Sequence, residues 1–295
     1  MRIAVIGATG KAGSLIAREA RIRGHAVTAV IRPGSAKRLE YPYEVIERDL
    51  FELQSGDLKD FDAVIDAFGT PFGKPGIEQQ HFTAIEYLIR VFQDLPNVRL
   101  LVIGGAGSLY KDKEKEHRVL DDIPKQFRAV PEFAAKGYEL IKTSDINWTY
   151  LSPPVNFDAG GVRTGKYMAG SDYVIPNSAG ESYASYADFA VAMVDEAEQG
   201  RHIRERFTIV SDSPFFFGNK QLYNLAVYPF FRRYGYLGVF LDRGADTGYG
   251  QGSLHLGSRH GSYMLAENGS KLIDFAPTFN GEKIPYSIKA QATEL

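Results

Sequence analysis

The chain has 295 residues, of which 44% are hydrophobic and 24% are charged, and its formal net charge at pH 7 is −2. These values fit one large or two smaller globular domains, and they provide no overall basic field for binding nucleic acid. The chain has no cysteine, which excludes disulfides, thiolate nucleophiles and cysteine-bound metals, and no apolar run is long enough to span a membrane. We expect a cytoplasmic protein, because the sequence begins with a strand and not with a signal peptide.

The first predicted elements are a strand, a glycine-rich loop and a helix. The apolar run 3–6 is followed by the sequence Gly7-Ala8-Thr9-Gly10-Lys11-Ala12-Gly13 and then by an amphipathic stretch. A glycine loop between a strand and a helix is typical of dinucleotide binding, although the spacing here is G-x-x-G-x-x-G and not G-x-G-x-x-G. We expect Gly7 to form the turn, Gly10 to let the backbone approach a pyrophosphate, and Gly13 to let the helix pack closely on the strand.

The alternation of strands and helices continues along the chain and predicts a doubly wound parallel sheet. The predicted strands that follow are Ala26–Ile31, Tyr43–Glu47, Ala63–Ala67, Leu100–Ile103, Asn147–Leu151 and Arg206–Val210. The predicted helices are Ile77–Phe92, Ala134–Lys142 and Ser185–Glu198. The fold class is therefore α/β, with a Rossmann-like domain over residues 1–210.

After residue 211 the pattern changes to short alternating runs separated by glycine. It predicts an amphipathic helix over Lys220–Arg233 and then a small antiparallel β module, so that residues 211–295 form a second unit. The strands predicted in this module are Leu237–Leu241, Ser253–Leu256, Tyr263–Ala266, Leu272–Phe275 and Ile284–Ile288. Because a small sheet usually needs a packing partner, we expect the module to lie against the α/β domain near its substrate side or to form a homodimer surface.

The residue that ends the second strand indicates which dinucleotide binds. Arg32 lies about 20 residues after Gly13, where an acidic residue would contact the ribose 2′-hydroxyl of NAD. A guanidinium at this position suits a 2′-phosphate, and Lys37 and Arg38 add positive charge nearby. The sequence therefore favours NADP(H) over NAD(H), and the alternative is that Arg32 is an ordinary surface arginine.

The carboxyl ends of the other strands are predicted to line the cofactor crevice. Asp49 and Leu50 follow the third strand, where the adenine edge is usually contacted. Ala67, Phe68 and Gly69 end the fourth strand. Gly104 begins the glycine-rich end of the fifth, where the nicotinamide half would lie against the backbone.

Several stretches resemble the atypical short-chain dehydrogenase/reductases known as NADH-flavin reductases, which are relatives of the biliverdin reductase B type. The matching stretches lie within residues 1–210 and are Met1–Ser14, Gly104–Tyr110, Asn147–Pro153, Gly165–Tyr167, Ala187–Ala190 and Asp195–Glu196. The resemblance implies NAD(P)H binding, with Thr9, Gly10, Lys11 and Ala12 at the pyrophosphate and Arg32 at the adenosine end. It also implies reduction of a flavin, such as FMN or FAD, as the substrate. The last 85 or so residues match no family in this way.

One candidate catalytic pair is a tyrosine and a lysine that lie four residues apart. The string Tyr138-Glu139-Leu140-Ile141-Lys142 has the Tyr-x-x-x-Lys spacing of carbonyl reductases, but it lies too close to Pro153 for the usual catalytic position. Hydride transfer to a flavin needs no such pair, because water can supply the proton. Ser108 and Tyr110 are the candidates for contact with the nicotinamide or the acceptor, and Lys136 or Arg163 for stabilising negative charge on a reduced flavin.

Two further functions remain open at this point. One is a non-catalytic NADP(H)-binding regulator, and the other is a carbonyl reductase or sugar-nucleotide epimerase. In each case the expected partner is a small molecule and neither nucleic acid nor a membrane. We predict no metal site, although His255 and His260 lie near each other in the sequence.

Overall fold

The computed structural model describes residues 1–69, 79–114 and 116–212, together with the backbone of seven short strands between residues 236 and 290. The chain divides into two compact units. The first contains Met1–Ala159 and Arg163–Asp212, and the second contains Gly160–Val162 and Ser213–Leu295.

The first unit alternates strands and helices in the predicted manner. Its strands are β1 (Arg2–Ile6), β2 (Ala26–Ile31), β3 (Glu44–Glu47), β4 (Ala63–Asp66), β5 (Arg99–Ile103), β6 (Trp148–Ser152), β7 (Asn156–Asp158), β8 (Met168–Gly170), β9 (Tyr183–Ser185) and β10 (Glu205–Val210). Its α-helices are α1 (Lys11–Ile22), α2 (Ser55–Leu58), α3 (Gln80–Phe92), α4 (Ala129–Lys142) and α5 (Tyr186–Gln199).

Eight of these strands form one sheet in the order β3-β2-β1-β4-β5-β6-β10-β8. Every neighbouring pair is parallel except β10 and β8. The strand order reverses between β1 and β4, which is the point where doubly wound sheets bind their ligands. The predicted Rossmann-like fold class is confirmed.

Alternate residues of each strand pack against different helix layers. In β1, Ile3 and Val5 face the hydrophobic cluster formed with α1 and α5, whereas Ala4 and Ile6 face the cluster formed with α3 and α4. Both faces of the sheet are therefore covered, which explains why the parallel strands are nearly continuous apolar runs in the sequence.

Some element boundaries differ from those predicted. The predicted helix Ala134–Lys142 begins five residues earlier, at Ala129, and Pro131 lies in its first turn, where a missing backbone N–H removes no intrahelical bond. The helix expected to begin at Ile77 is described from Gln80, and residues 70–78 lie outside the described residues. The antiparallel strand β8 is not predicted, because it has three residues and ends in Gly170.

The second unit contains short antiparallel pairings. Its described strands are β11 (Tyr236–Arg243), β12 (Gly252–Ser258), β13 (Gly261–Ala266), β14 (Ile273–Phe275), β15 (Thr278–Phe279), β16 (Glu282–Lys283) and β17 (Ile288–Ala290). The longest three form an antiparallel sheet. The predicted helix Lys220–Arg233 and most of the predicted strand Ile284–Ile288 lie outside the described residues. Among the described helices, none has both the length and the apolar character required to cross a bilayer.

Candidate functional site

Two glycines, one in the loop after β1 and one in the first turn of α1, have no space for a side chain. Gly7 adopts a φ of +76°, and a Cβ atom there would lie 2.9 Å from the carbonyl oxygen of Ala67. A Cβ atom on Gly13 would lie 2.3 Å from the carbonyl oxygen of Gly7. The turn expected at Gly7 and the close packing expected at Gly13 are both present, and their contact with a pyrophosphate stays a prediction.

The amino end of α1 carries no side-chain cap. Gly10 is the N-cap residue, and no described side chain accepts a hydrogen bond from the helix start. The first N–H groups of a helix have no partner within the helix, so those of Lys11, Ala12 and Gly13 are available to an anion. The positive end of the helix dipole adds to this, and the residues at the loop therefore fit a pyrophosphate.

Three exposed cations follow β2, and one of them contacts this loop. The Nη2 of Arg38 donates a hydrogen bond to the carbonyl oxygen of Thr9 at 3.1 Å, which places one guanidinium at the loop itself. Arg32 and Lys37 are also exposed, and the Arg32 guanidinium has no ion-pair or hydrogen-bond partner within the described ranges. One carboxylate lies at the same turn, since Glu47 accepts a bond from the Gly34 N–H at 3.3 Å.

An aromatic group lies at the ends of β3 and β4. Leu50 is buried, and the carboxylate of Asp49 accepts a hydrogen bond from the Phe51 N–H at 3.1 Å. The Phe51 ring is 38% exposed and meets the rings of Phe68 and Tyr87 edge-on, at centroid distances of 6.2 and 5.7 Å. The predicted residues Leu50 and Phe68 therefore lie beside a partly exposed aromatic surface of the kind that an adenine ring packs against.

The glycine-rich end of β5 has a structural explanation. A Cβ atom on Gly104 would lie 2.1 Å from Cε1 of Tyr150, and one on Gly107 would lie 2.9 Å from Cβ of Pro131. Glycine at these positions is therefore required by the packing of β6 and α4. The predicted contact of Gly104 with the nicotinamide half stays a prediction, and so does that of the exposed Gly69.

Tyr138 and Lys142 do not form the pair that a carbonyl reductase uses. Tyr138 is 6% exposed and packs against the rings of Trp148 and Tyr150. The Lys142 ammonium lies over the Tyr138 ring, 6.0 Å from its centroid, and no hydrogen bond between the two side chains is described. Burial raises the pKa of the Tyr138 hydroxyl to about 12, which is the opposite of the shift that a proton-donating tyrosine needs.

Ser108 is enclosed by the protein. It is 1% exposed, and its hydroxyl donates to the carbonyl oxygen of Gly105 at 3.0 Å while accepting from Nη1 of Arg206 at 3.1 Å. Its single hydroxyl proton is thus already engaged. Tyr110 is partly buried, and its backbone forms bridges to Arg118 and Tyr173.

Lys136 and Arg163 each contact another side chain of the first unit. Lys136 is on the face of α4 that carries Glu132 and Glu139, and its ammonium lies 4.8 Å from the centroid of the Phe133 ring. Arg163 forms two hydrogen bonds of 2.9 Å with the carboxylate of Glu19 on α1. The described contacts of the two cations are therefore with Phe133 and with Glu19, and their predicted role beside a flavin stays a prediction.

One buried carboxyl group lies where the strand order reverses. Asp66 is the last residue of β4 and is 4% exposed, and its Oδ1 accepts a hydrogen bond from the Phe68 N–H at 3.0 Å. Burial raises the pKa of this carboxyl group to about 7, and the Phe68 bond opposes the shift only in part.

Asp66, Phe51 and Arg206 are not among the site residues predicted from the sequence. Each has a recognisable feature in the sequence: Asp66 is the charged residue of the predicted strand Ala63–Ala67, Phe51 follows the predicted Leu50, and Arg206 is the first residue of the predicted strand Arg206–Val210. No group of three or more metal-binding side chains occurs in the part of the chain that the structure describes, and His260 lies outside it.

The family model described as NAD(P)H-binding matches residues 7–197 of the chain. The Bacillus subtilis protein YwnB, whose function is uncharacterised, is 46% identical over 218 residues, which are 72% of this chain and all of that protein. The solved structure of a Streptococcus pneumoniae protein, provisionally assigned as an NADH-flavin reductase, is 40% identical in sequence and has a TM-score of 0.65. The match covers 72% of this chain and the whole of that chain. A Bacteroides thetaiotaomicron protein provisionally assigned as an epimerase is 33% identical, with a TM-score of 0.62 over 72% of this chain and 98% of its own.

Proposed function

The chain belongs to the NAD(P)H-binding family of atypical short-chain dehydrogenase/reductases, and from that premise we propose that it is an NADPH-dependent reductase of a flavin or another planar acceptor. The observation that carries the proposal is the loop between β1 and α1. This loop and the first turn of α1 each contain a glycine that has no space for a Cβ atom, and the helix start is uncapped. Gly7, Gly10 and the N–H groups of Lys11 to Gly13 would hold the pyrophosphate.

The preference for NADPH rests on the charges that follow β2. Arg32, Lys37 and Arg38 supply three cations, whereas Glu47 supplies a carboxylate at the Gly34 backbone and Glu40 is paired with Arg18. A 2′-phosphate carries more negative charge than a hydroxyl, and a guanidinium can bind it through two charge-assisted hydrogen bonds. The partly exposed aromatic surface that includes Phe51 and Phe68 would accept the adenine ring.

The choice of acceptor rests on whether the hydroxyl groups of Tyr138 and Ser108 can donate a proton to a substrate. Reduction of a carbonyl group needs a proton donor of suitable pKa. Tyr138 is buried with a raised pKa, and the hydroxyl of Ser108 is already bonded to Gly105 and Arg206. When bound, the reduced nicotinamide supplies the hydride, and a flavin can take its proton from water. The S. pneumoniae relative, 40% identical, bears an assignment of the same kind.

Steady-state oxidation of NADPH by the full chain, with FMN or FAD as the acceptor, tests this function. We expect the absorbance of the reduced nicotinamide to fall faster than in a reaction without protein, and NADPH to be a better substrate than NADH. A binding titration with NADPH alone separates the alternatives. Tight binding with no oxidation would favour the non-catalytic regulator. The hydrogen bonds of the Ser108 hydroxyl to Gly105 and Arg206 are compatible with that function as well. No binding of either dinucleotide would overturn the proposal.

A further inference from the structure

We propose that Arg206 is a positioning residue, which fixes the turn after β5 so that the nicotinamide half of the dinucleotide can lie against it. This inference rests on the proposed function. Arg206 is the second residue of β10, two strands along the sheet from β5. It is 5% exposed, so its guanidinium acts inside the protein and not on the surface.

The guanidinium connects three segments of the chain. Its Nη1 donates to the carbonyl oxygen and to the hydroxyl of Ser108, at 3.0 and 3.1 Å. Its Nε donates to Oδ1 of Asp172 at 2.8 Å, and its Nη2 donates to the carbonyl oxygen of Asp172 at 3.3 Å. Its Cζ lies 4.0 Å from the centroid of the Tyr138 ring. Four hydrogen bonds and one ring contact thus fix its position.

The two segments that Arg206 joins are also bonded to each other. The Tyr110 N–H donates to the carbonyl oxygen of Asp172 at 2.9 Å, and the Val174 N–H donates to the carbonyl oxygen of Tyr110 at 2.8 Å. Within the turn, the Ser108 hydroxyl donates to Gly105 at 3.0 Å. The path of residues 105–110 is therefore set by Arg206 and by the segment it holds at Asp172.

This turn belongs to the nicotinamide half of the crevice. In a sheet of this order, the adenosine half lies over the β1, β2 and β3 side of the switch point, so the other half lies over the ends of β4 and β5. The turn follows the carboxyl end of β5 directly. Loss of Arg206 would remove its hydrogen bonds to the Ser108 carbonyl and to the Asp172 carboxylate and would let the turn move. The predicted result is weaker binding of the nicotinamide half alone.

Arginine is required at position 206 because the groups that it contacts lie on different sides of the guanidinium. A planar guanidinium can donate to Ser108 from one edge and to Asp172 from another, while its face lies on Tyr138. The ammonium of lysine is a single point charge and cannot reproduce this arrangement. The variant Arg206→Lys keeps the charge and most of the stem, so it separates positioning from charge and packing.

The test compares full-length Arg206→Met and Arg206→Lys with wild type in calorimetric titrations of NADPH and of 2′,5′-ADP, which represents the adenosine half only. All titrations are run below the onset of thermal unfolding of each variant. We expect both variants to bind NADPH at least about tenfold more weakly and to bind 2′,5′-ADP within about twofold of wild type. With FMN as the acceptor, kcat should fall further, by about a hundredfold.

Arg99→Met is the matched control. Arg99 is also a buried arginine of this sheet, 7% exposed and paired with Glu196, but it is the first residue of β5 and lies at the opposite end of the strand from the turn. The Arg99→Met variant should be less stable than wild type but should bind both ligands with wild-type affinity. The positioning role would be overturned if Arg206→Lys kept the wild-type ratio between its affinities for NADPH and for 2′,5′-ADP. It would also be overturned if either variant lost affinity for both ligands by the same factor. Failure of wild type itself to bind NADPH would instead overturn the proposed function.

Discussion

Gly13 at the start of α1 lies so close to Gly7 at the end of β1 that a Cβ atom on Gly13 would be 2.3 Å from the Gly7 carbonyl oxygen. Both partners are backbone, so the contact cannot be relieved by turning a flexible side chain. The close approach fixes the first turn of α1 above the loop, and with it the N–H groups that are proposed to hold the pyrophosphate.

Replacing Gly13 by alanine should therefore affect stability and binding together. Accommodating the methyl group requires a backbone shift, and overpacking of this kind costs about 1–3 kcal/mol. We expect the free energy of unfolding in urea to fall by that amount and NADPH affinity to fall at least about tenfold. Gly56→Ala is the control, because nothing lies within 4 Å of a Cβ atom there. Unchanged NADPH affinity in Gly13→Ala would contradict the proposed role of the loop.

The variant Arg32→Asp tests which dinucleotide the site prefers. If the guanidinium binds a 2′-phosphate, NADPH should bind about 10–100-fold more weakly, the usual cost of losing charge-assisted hydrogen bonds, whereas NADH should change by about twofold. Lys59→Asp makes the same change of charge at an exposed residue just after α2 and should leave the ratio of the two affinities unaltered. Equal losses of NADPH and NADH in Arg32→Asp would remove Arg32 from the phosphate site.

Tyr138→Phe tests whether the protein donates a proton during turnover. The Tyr138 hydroxyl belongs to a buried side chain and has a raised pKa, so its removal should change kcat with FMN by no more than about twofold. The pH profile of kcat should likewise be the same in the variant and in wild type. A loss of about a hundredfold or more in kcat would make Tyr138 a proton donor and would favour carbonyl reduction.

Local patterns were enough to predict the parallel strands of the sheet, but not the hydrogen-bond partners of the candidate catalytic residues. The apolar run of β1 and the serine before α5 have local signals, and Ser185 does cap that helix through its bond from the Asp188 N–H. The environment of Ser108 depends on Arg206, which is 98 residues away in sequence, and that of Arg163 depends on Glu19, 144 residues away. Such pairs form only when the strands are ordered in the sheet, so periodicity and spacing could not predict them.

Asp66 gives a prediction about pH and stability. Burial raises the pKa of its carboxyl group to about 7 in the folded chain, above the value of about 3.9 expected when the chain is unfolded. The folded state therefore binds the proton more tightly than the unfolded state between these values. Stability from this group is present in full below about pH 4 and is lost as the pH rises to about 7, with a slope of at most about 1.4 kcal/mol per pH unit.

Asp66→Asn removes this titration while keeping an oxygen that can accept the bond from the Phe68 N–H. The difference in unfolding free energy, wild type minus variant, should therefore become more negative by about 2–4 kcal/mol between about pH 4 and pH 8. Urea unfolding at several pH values measures it, with the exposed Asp60→Asn as the control that should show no such trend. A difference that stays flat with pH would mean that the buried carboxyl group is ionised throughout. Asp66 ends β4 at the point where the strand order reverses, which is where the dinucleotide is proposed to bind. NADPH affinity measured over the same pH range, in wild type and in Asp66→Asn, shows whether protonation of this carboxyl group affects dinucleotide binding.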